Sequence, residues 1–165
     1  MRPARAYIGI GSNLEDPIRQ VRRALQALNG ILASSCVAQS PLYRTAPVGG
    51  PPGQPDYINA VAALGTGLPP YQLLMALQTL ELAQGRTRSV RWEARTLDLD
   101  LLLYDQLTSA DPRLTLPHPR LHERAFVLYP LRDIAPNLTI PGHGPLSELL
   151  ARCPPQVIAR LDSSD

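Results

Sequence analysis

Lysine is absent; all sixteen basic residues are arginine. A Walker-type phosphate loop needs a lysine, so that class of nucleotide site is excluded. Schiff-base chemistry on a lysine amine is excluded for the same reason. Cysteine is scarce. Cys36 and Cys153 lie far apart and neither belongs to a C-x-x-C pair, which reads as two buried thiols in a reducing compartment with no zinc signature. Aromatics are few, with one Phe and one Trp, whereas a sheet that binds RNA by base stacking displays several. No window approaches the ~18 apolar residues of a membrane span. The opening "MRPARAYIGIGSN" has only a short apolar stretch and no cleavage-site pattern, so no signal peptide is expected and the expected location is cytoplasmic. A net charge of +2 does not by itself argue for a nucleic-acid or membrane partner.

The 165 residues suit one domain over 1–165 with a real core. "ARAYIGIG" (4–11) reads as a first strand ending at glycine. Asp16-Pro17 gives an N-cap followed by proline at the first helical position. Ile18, Val21, Leu25 and Leu28 follow at helical spacing, and Asn29-Gly30 ends the helix. A second strand is expected over 31–43, then a Gly/Pro-dense loop over 44–55 and a third strand over 56–64. Pro70 starts a second helix with Leu73, Leu74, Leu77 and Leu80 as its stripe. A polar loop, 84–95, leads to a fourth strand over 96–104. The order β-α-β-β-α-β is the ferredoxin-like pattern, an α+β fold with an antiparallel sheet and helices on one face. C-terminal additions follow: a helix over 121–132 and a short one near 146–152.

The fourth strand, "RTLDLDLLLY" (95–104), poses a problem. Side chains alternate along a strand, so Leu97, Leu99, Leu101 and Leu103 should share one face. Asp98 and Asp100 should share the other with Leu102 and Tyr104. Unpaired buried carboxylates are costly, so that face needs water or positive charge. Two carboxylates ~6.5–7 Å apart can hold one hard cation or grip two. Oxygen ligands alone point to Mg²⁺, Mn²⁺ or Ca²⁺ rather than Zn²⁺. The preceding loop holds Arg86, Arg88, Arg91 and Arg95, and arginine grips phosphate oxygens in bidentate fashion. A basic loop beside an acidic pair matches phosphoryl transfer from a triphosphate. Trp92 in the same loop could cover a substrate. His118, set between Pro117 and Pro119 and near Arg120 and Arg124, suits a phosphate or ribose contact. Tyr57 and Asn59 sit i, i+2 on the third strand and could hold a flat heterocycle. His122 and His143 have weaker contexts and stay unassigned.

These residues fall in stretches that together resemble the 6-hydroxymethyl-7,8-dihydropterin pyrophosphokinase family: "YIGIGSNL" (7–14), "SPLYRTAPVG" (40–49), "QPDYINAV" (54–61), "ELAQGRTR" (81–88), "RWEARTLDLDLLLY" (91–104) and "LTLPHPRLHERAFVLYPL" (114–131). The resemblance implies transfer of pyrophosphate from ATP to the pterin hydroxymethyl group, with release of AMP, in folate biosynthesis. It implies that Asp98 and Asp100 hold two Mg²⁺ ions. Arg86 and Arg95 would clamp the triphosphate; Arg88, His118 and Arg124 would add ATP contacts. Leu74, Leu101 and Leu114 would form the adenine wall, and Trp92 would sit in a loop closing over both substrates. Tyr57 and Phe126 would sandwich the pterin, Asn59 would bond its edge, and backbone near Thr45 and Val48 would complete the site. ATP and the pterin are the expected partners, with no nucleic acid, and the chain is expected to be a monomer. A palm-type two-metal nucleotidyl transferase shares the sheet order and paired aspartates, but it would release pyrophosphate. An RNA-binding module on the same fold is the weaker rival.

Overall fold

A computed structural model of the chain describes residues 2–13, 15–46, 53, 55–84 and 97–161. Its first half runs β1 (Ala4–Ser12), α1 (Pro17–Leu28), β2 (Ser34–Gln39), β3 (Tyr43–Thr45), β4 (Tyr57–Thr66), α2 (Pro70–Gln84) and β5 (Leu97–Tyr104). Asp16 occupies the N-cap position of α1 in a left-handed conformation, but its side chain makes no capping bond; Pro17 starts the helix. The strand expected over 31–43 is two strands. Pro41 lacks an N–H and breaks the ladder. At the break the Ser40 hydroxyl accepts the Val61 N–H at 2.9 Å, and the Ser40 N–H donates to the Val61 carbonyl at 2.9 Å. Both pieces stay antiparallel to β4, with Ser34 opposite Thr66 and Tyr43 opposite Asn59.

The main sheet is ordered β5-β1-β4-β3-β10, with β2 also on β4 and β10 being Ile158–Arg160. All its pairings are antiparallel, the arrangement expected of a ferredoxin-like core. Val21, Leu25 and Leu28 of α1 and Leu73 and Leu77 of α2 pack with Ile8, Ile10, Leu97 and Leu99 on one face. Each such fully buried aliphatic side chain contributes roughly 1.5–3 kcal/mol. The C-terminal additions divide: the first, a hairpin, packs Leu114 and Leu116 with the α1–α2 core, and most of the rest covers the other face. They comprise a hairpin, β6 (Ser109–Asp111) with β7 (Leu114–Leu116), then a 3-10 turn at Leu121–Glu123, α3 (Ala125–Ile134), the short pair β8 (Thr139–Ile140) and β9 (Gly144–Pro145), and α4 (Leu146–Arg152). Leu128, Leu131, Leu146 and Leu149 pack there against Val61 and Leu102. The helix expected over 121–132 is interrupted: Arg124 is extended, at φ −114° and ψ 107°, and this turns its side chain out of a helical path at the start of α3. Cys36 and Cys153 are free and half-buried, rather than fully buried as expected.

The alternation expected in β5 fails at one residue. Ile8 pairs with Leu101 and Tyr7 with Leu103, so Leu102 has no partner in the register. One extra residue flips every later side chain to the opposite face. Leu103 therefore joins Leu102 under α3, while Tyr104 packs with the α1–α2 core. The Leu102 carbonyl accepts the His118 N–H at 2.9 Å, so the bulge anchors the segment that brings His118 toward the aspartates.

Candidate active site

Asp98 and Asp100 project from the α3-facing side of β5. Their β1 neighbours are Gly11 and Gly9, which add no side chain to that face. Beyond Gly11 on β4 lies Asn59. A Cβ on Gly11 would stand 2.7 Å from the Asn59 amide nitrogen, so only glycine leaves Asn59 its place. Asn59 is buried and its Oδ1 accepts the Thr45 hydroxyl at 2.7 Å. That bond fixes the amide and turns its N–H₂ over the glycine floor.

Two cavities share Asp98 and Asp100. One, of 310 Å³, is walled by Thr45, Tyr57 and Asn59 on one side and by Arg124, Phe126 and Gln156 on the other. The second, of 380 Å³, lies toward α2 and the β6–β7 hairpin and is walled by Leu74, Leu101, Leu114 and His118. A larger open hollow of 980 Å³ sits at the far end of β1, around Arg2, Arg5 and Asp105. Its Asp105 carboxylate already accepts the Arg5 N–H at 2.8 Å.

The charges in the shared wall compensate one another in part. Burial pushes the Asp100 carboxyl above its ordinary range, and the Arg124 guanidinium draws it part of the way back. Burial in turn lowers Arg124, while Asp100 and Asp98 support its charge. Arg124 also stacks on Phe126, 5.4 Å from the ring centre, which orients the guanidinium. Burial, then Arg124 and Arg120, lowers His118 to about 4. The ring is thus neutral at pH 7. Its Nδ1 accepts the Arg120 N–H at 3.3 Å, which leaves Nε2–H as the donor available to a ligand.

Most of the residues singled out from the sequence converge here. Tyr57, Asn59, Thr45 and Phe126 line the first cavity; Leu74, Leu101, Leu114 and His118 line the second. Arg124, expected with the nucleotide, lines the first cavity instead, where its extended backbone places it beside the aspartates. Arg86, Arg88, Arg91, Trp92, Arg95 and Val48 lie outside the described residues. The sequence reading missed Gln78, Glu81, Arg113 and Thr115 in the second cavity and Gln156 in the first. Glu81 had a signal: it falls one helical turn after Leu77, on the buried face of α2. Its Oε2 accepts the Leu99 N–H at 2.8 Å, tying α2 to the outer edge of β5. Gln156 had none, because it reaches the site only through the pairing of β10 with β3.

Residues 7–136 match the model of the 7,8-dihydro-6-hydroxymethylpterin-pyrophosphokinase family. The chain belongs to this family. It is 50% identical over 157 residues to the 2-amino-4-hydroxy-6-hydroxymethyldihydropteridine pyrophosphokinase of Pseudomonas aeruginosa, covering 95% of this chain and 96% of that one. It is 46% identical to the enzyme of the same name from Haemophilus influenzae, over 88% of this chain and 90% of that one. A Plasmodium falciparum HPPK-DHPS structure shares the fold, with a TM-score of 0.74 at 13% identity over 92% of this chain; the match spans 44% of that longer chain.

In this chain the two cavities meet at a carboxylate pair. Among the described residues no cluster of three or more His, Cys, Asp or Glu could hold a metal alone. A pair of carboxylates still fits Mg²⁺, which commonly takes one or two protein carboxylates and completes its shell with water and phosphate oxygens.

Proposed function

We propose that this chain transfers a pyrophosphoryl group from ATP to the hydroxymethyl oxygen of 6-hydroxymethyl-7,8-dihydropterin and releases AMP, a step of folate biosynthesis. The shared wall of Asp98 and Asp100 between a ring-sized cavity and an apolar-walled one is the observation that carries this reading. The hydroxyl oxygen forms a bond to the β-phosphorus, the β-phosphorus–oxygen bond to the α-phosphate breaks, AMP takes the electron pair, and the hydroxyl proton passes to solvent. Only the junction of the cavities brings the two reacting atoms together.

In this reading Tyr57 and Phe126 hold the two faces of the pterin and Asn59 bonds its edge. Leu74, Leu101 and Leu114 take the adenine, and the His118 Nε2–H donates to the ribose or a phosphate. The Arg124 charge faces the phosphates across the junction and stabilises the charge that develops on the leaving oxygen. Arg86 and Arg95 enter as phosphate clamps and Arg88 and Trp92 as further nucleotide contacts, on the family resemblance alone. Asp98 and Asp100 would hold Mg²⁺, two ions in our reading, which when bound supplies positive charge to the phosphates and acidifies the hydroxyl. Alignment of bound reactants is itself a large part of the rate gain in such a site. No helix among the described residues is long and apolar enough to cross a membrane, and the chain acts as a cytoplasmic monomer in this reading.

Phosphorus NMR of the protein with ATP, Mg²⁺ and the pterin tests it. AMP and a pterin diphosphate should form together, and only with both substrates and the metal present. Free pyrophosphate as product would transfer the site to the palm-type nucleotidyl transferases. No turnover by folded protein would overturn the reading.

A further inference from the structure

Gln156 lies beyond residues 7–136 that match the family, yet it lines the ring cavity. The segment that carries it leaves α4 and is fastened at both sides of that cavity. The Ala46 N–H donates to the Val157 carbonyl at 3.2 Å, and Ile158 pairs with Thr45 on β3. On the other side the Gln156 Oε1 accepts the Ala125 N–H at 2.9 Å. Ala125 stands between Arg124 and Phe126, and its N–H is one of the free donors at the start of α3. Arg124, at the N-cap, makes no side-chain capping bond, so Gln156 caps this helix from 31 residues away in sequence.

That bond decides which way the amide points. An N–H can be accepted only by the amide oxygen, so Nε2 is the end left over. Its two protons make no hydrogen bond to any of the described residues. The cavity around it is rich in acceptors, with Asp98, Asp100 and Glu123 in its walls, and the Thr45 hydroxyl is already committed to Asn59. A neutral heterocycle presents ring nitrogens and a carbonyl oxygen that need donors. Leaving such acceptors buried without a partner is costly. We propose that Gln156 is a substrate-binding residue whose Nε2 donates a hydrogen bond to an acceptor on the pterin ring edge. The inference rests on the function proposed above. It gives the C-terminal segment a part in recognising the ring, as well as in holding α3 against β3.

The test compares wild type, Gln156→Glu and Gln156→Leu as full chains, by steady-state kinetics in each substrate and by thermal melting. Gln156→Glu keeps an oxygen for the Ala125 N–H but removes the Nε2 protons. Its KM for the pterin should rise about tenfold, as expected for one lost hydrogen bond. Its KM for ATP should stay within about twofold and its Tm close to wild type. Gln156→Leu loses both ends and should show the raised pterin KM together with a lower Tm. A Gln156→Glu enzyme with the wild-type pterin KM overturns the proposal. So does one whose Tm falls to that of Gln156→Leu, because the defect would then be structural. Failure of the underlying function would show separately, as absence of turnover in the wild type.

Discussion

The two cavities that share Asp98 and Asp100 are built on different principles. The cavity proposed for the ring is made of distant pieces locked together: the Gly9 and Gly11 floor, the buried Thr45–Asn59 pair, and the Gln156 bond across to α3. The cavity proposed for the nucleotide is a half-buried apolar wall of Leu74 and Leu114, beside the neutral His118. A flat, uncharged heterocycle must be recognised by shape and by fixed polar pairs, so its walls have to be finished before it arrives. A triphosphate brings its own charge, so its cavity needs an adenine wall and countercharge more than a fitted outline. Among the described residues the aspartates are the only carboxylates common to both, and that decides where the largest effects should fall.

Removing either shared carboxylate should damage both sides at once. Asp98→Ala and Asp100→Ala should each lower kcat by about 10²–10³-fold, the loss typical of a group that stabilises transition-state charge. Retention of more than a tenth of wild-type kcat in either would break the idea of a common wall. A one-sided effect comes next. Gly11→Ala places a Cβ 2.7 Å from the Asn59 amide nitrogen, and Asn59 is held by Thr45. The amide must move, so KM for the pterin should rise about tenfold while KM for ATP stays put. A parallel rise in both constants would show that the two cavities are not separable. Leu114→Ala is the mirror experiment on the apolar side. It removes part of one aliphatic side chain from a half-buried wall, roughly 1 kcal/mol, so KM for ATP should rise only about fivefold, with the pterin constant unmoved.

The difference between the cavities also explains what the sequence could and could not disclose. Strand and helix order followed from periodicity, and the aspartates stood out because acid residues alternate with leucines. The leucines that line the second cavity, Leu74, Leu101 and Leu114, sit in recognisable elements, and their proposed place at the nucleotide came from the family resemblance. The bulge at Leu102 was not legible: three leucines in a row, Leu101 to Leu103, carry no mark of which one is extra, so Leu103 and Tyr104 were assigned to the wrong faces. Neither was the extended Arg124, because helical spacing runs straight through it. Gln156 was hidden most completely. Its role depends on β10 pairing with β3, a contact across more than half the chain that no local pattern announces. Recognition that depends on long-range closure leaves few traces in sequence, whereas an apolar wall within one element leaves many.

The smallest effect concerns stability in the absence of ligands. Asp100 is a carboxylate whose ionised form is penalised by burial, with Arg124 offsetting part of the penalty. Its folded-state pKa lies above the ordinary 3.8, so between those two values the folded chain binds more protons than the unfolded one. Stability must then fall as pH rises through that window. At neutral pH the ligand-free protein carries the full cost of the buried charge. Asp100→Asn removes the charge and keeps the shape, so it should raise the Tm of the ligand-free protein even as it removes turnover. A gain of ~1 kcal/mol is worth about 2–4 °C for a chain of this size. Thermal melts of wild type and Asp100→Asn at pH 4 and pH 7, without metal or nucleotide, test this. The two proteins should differ at pH 7 and converge toward pH 4. Addition of Mg²⁺ and an ATP analogue should stabilise the wild type more than the variant, because only the wild type has the second carboxylate to neutralise. A variant less stable than wild type at pH 7 would mean that Arg124 already compensates Asp100 in full. The shared wall would then be a finished ion pair, with no unmet charge waiting for substrate.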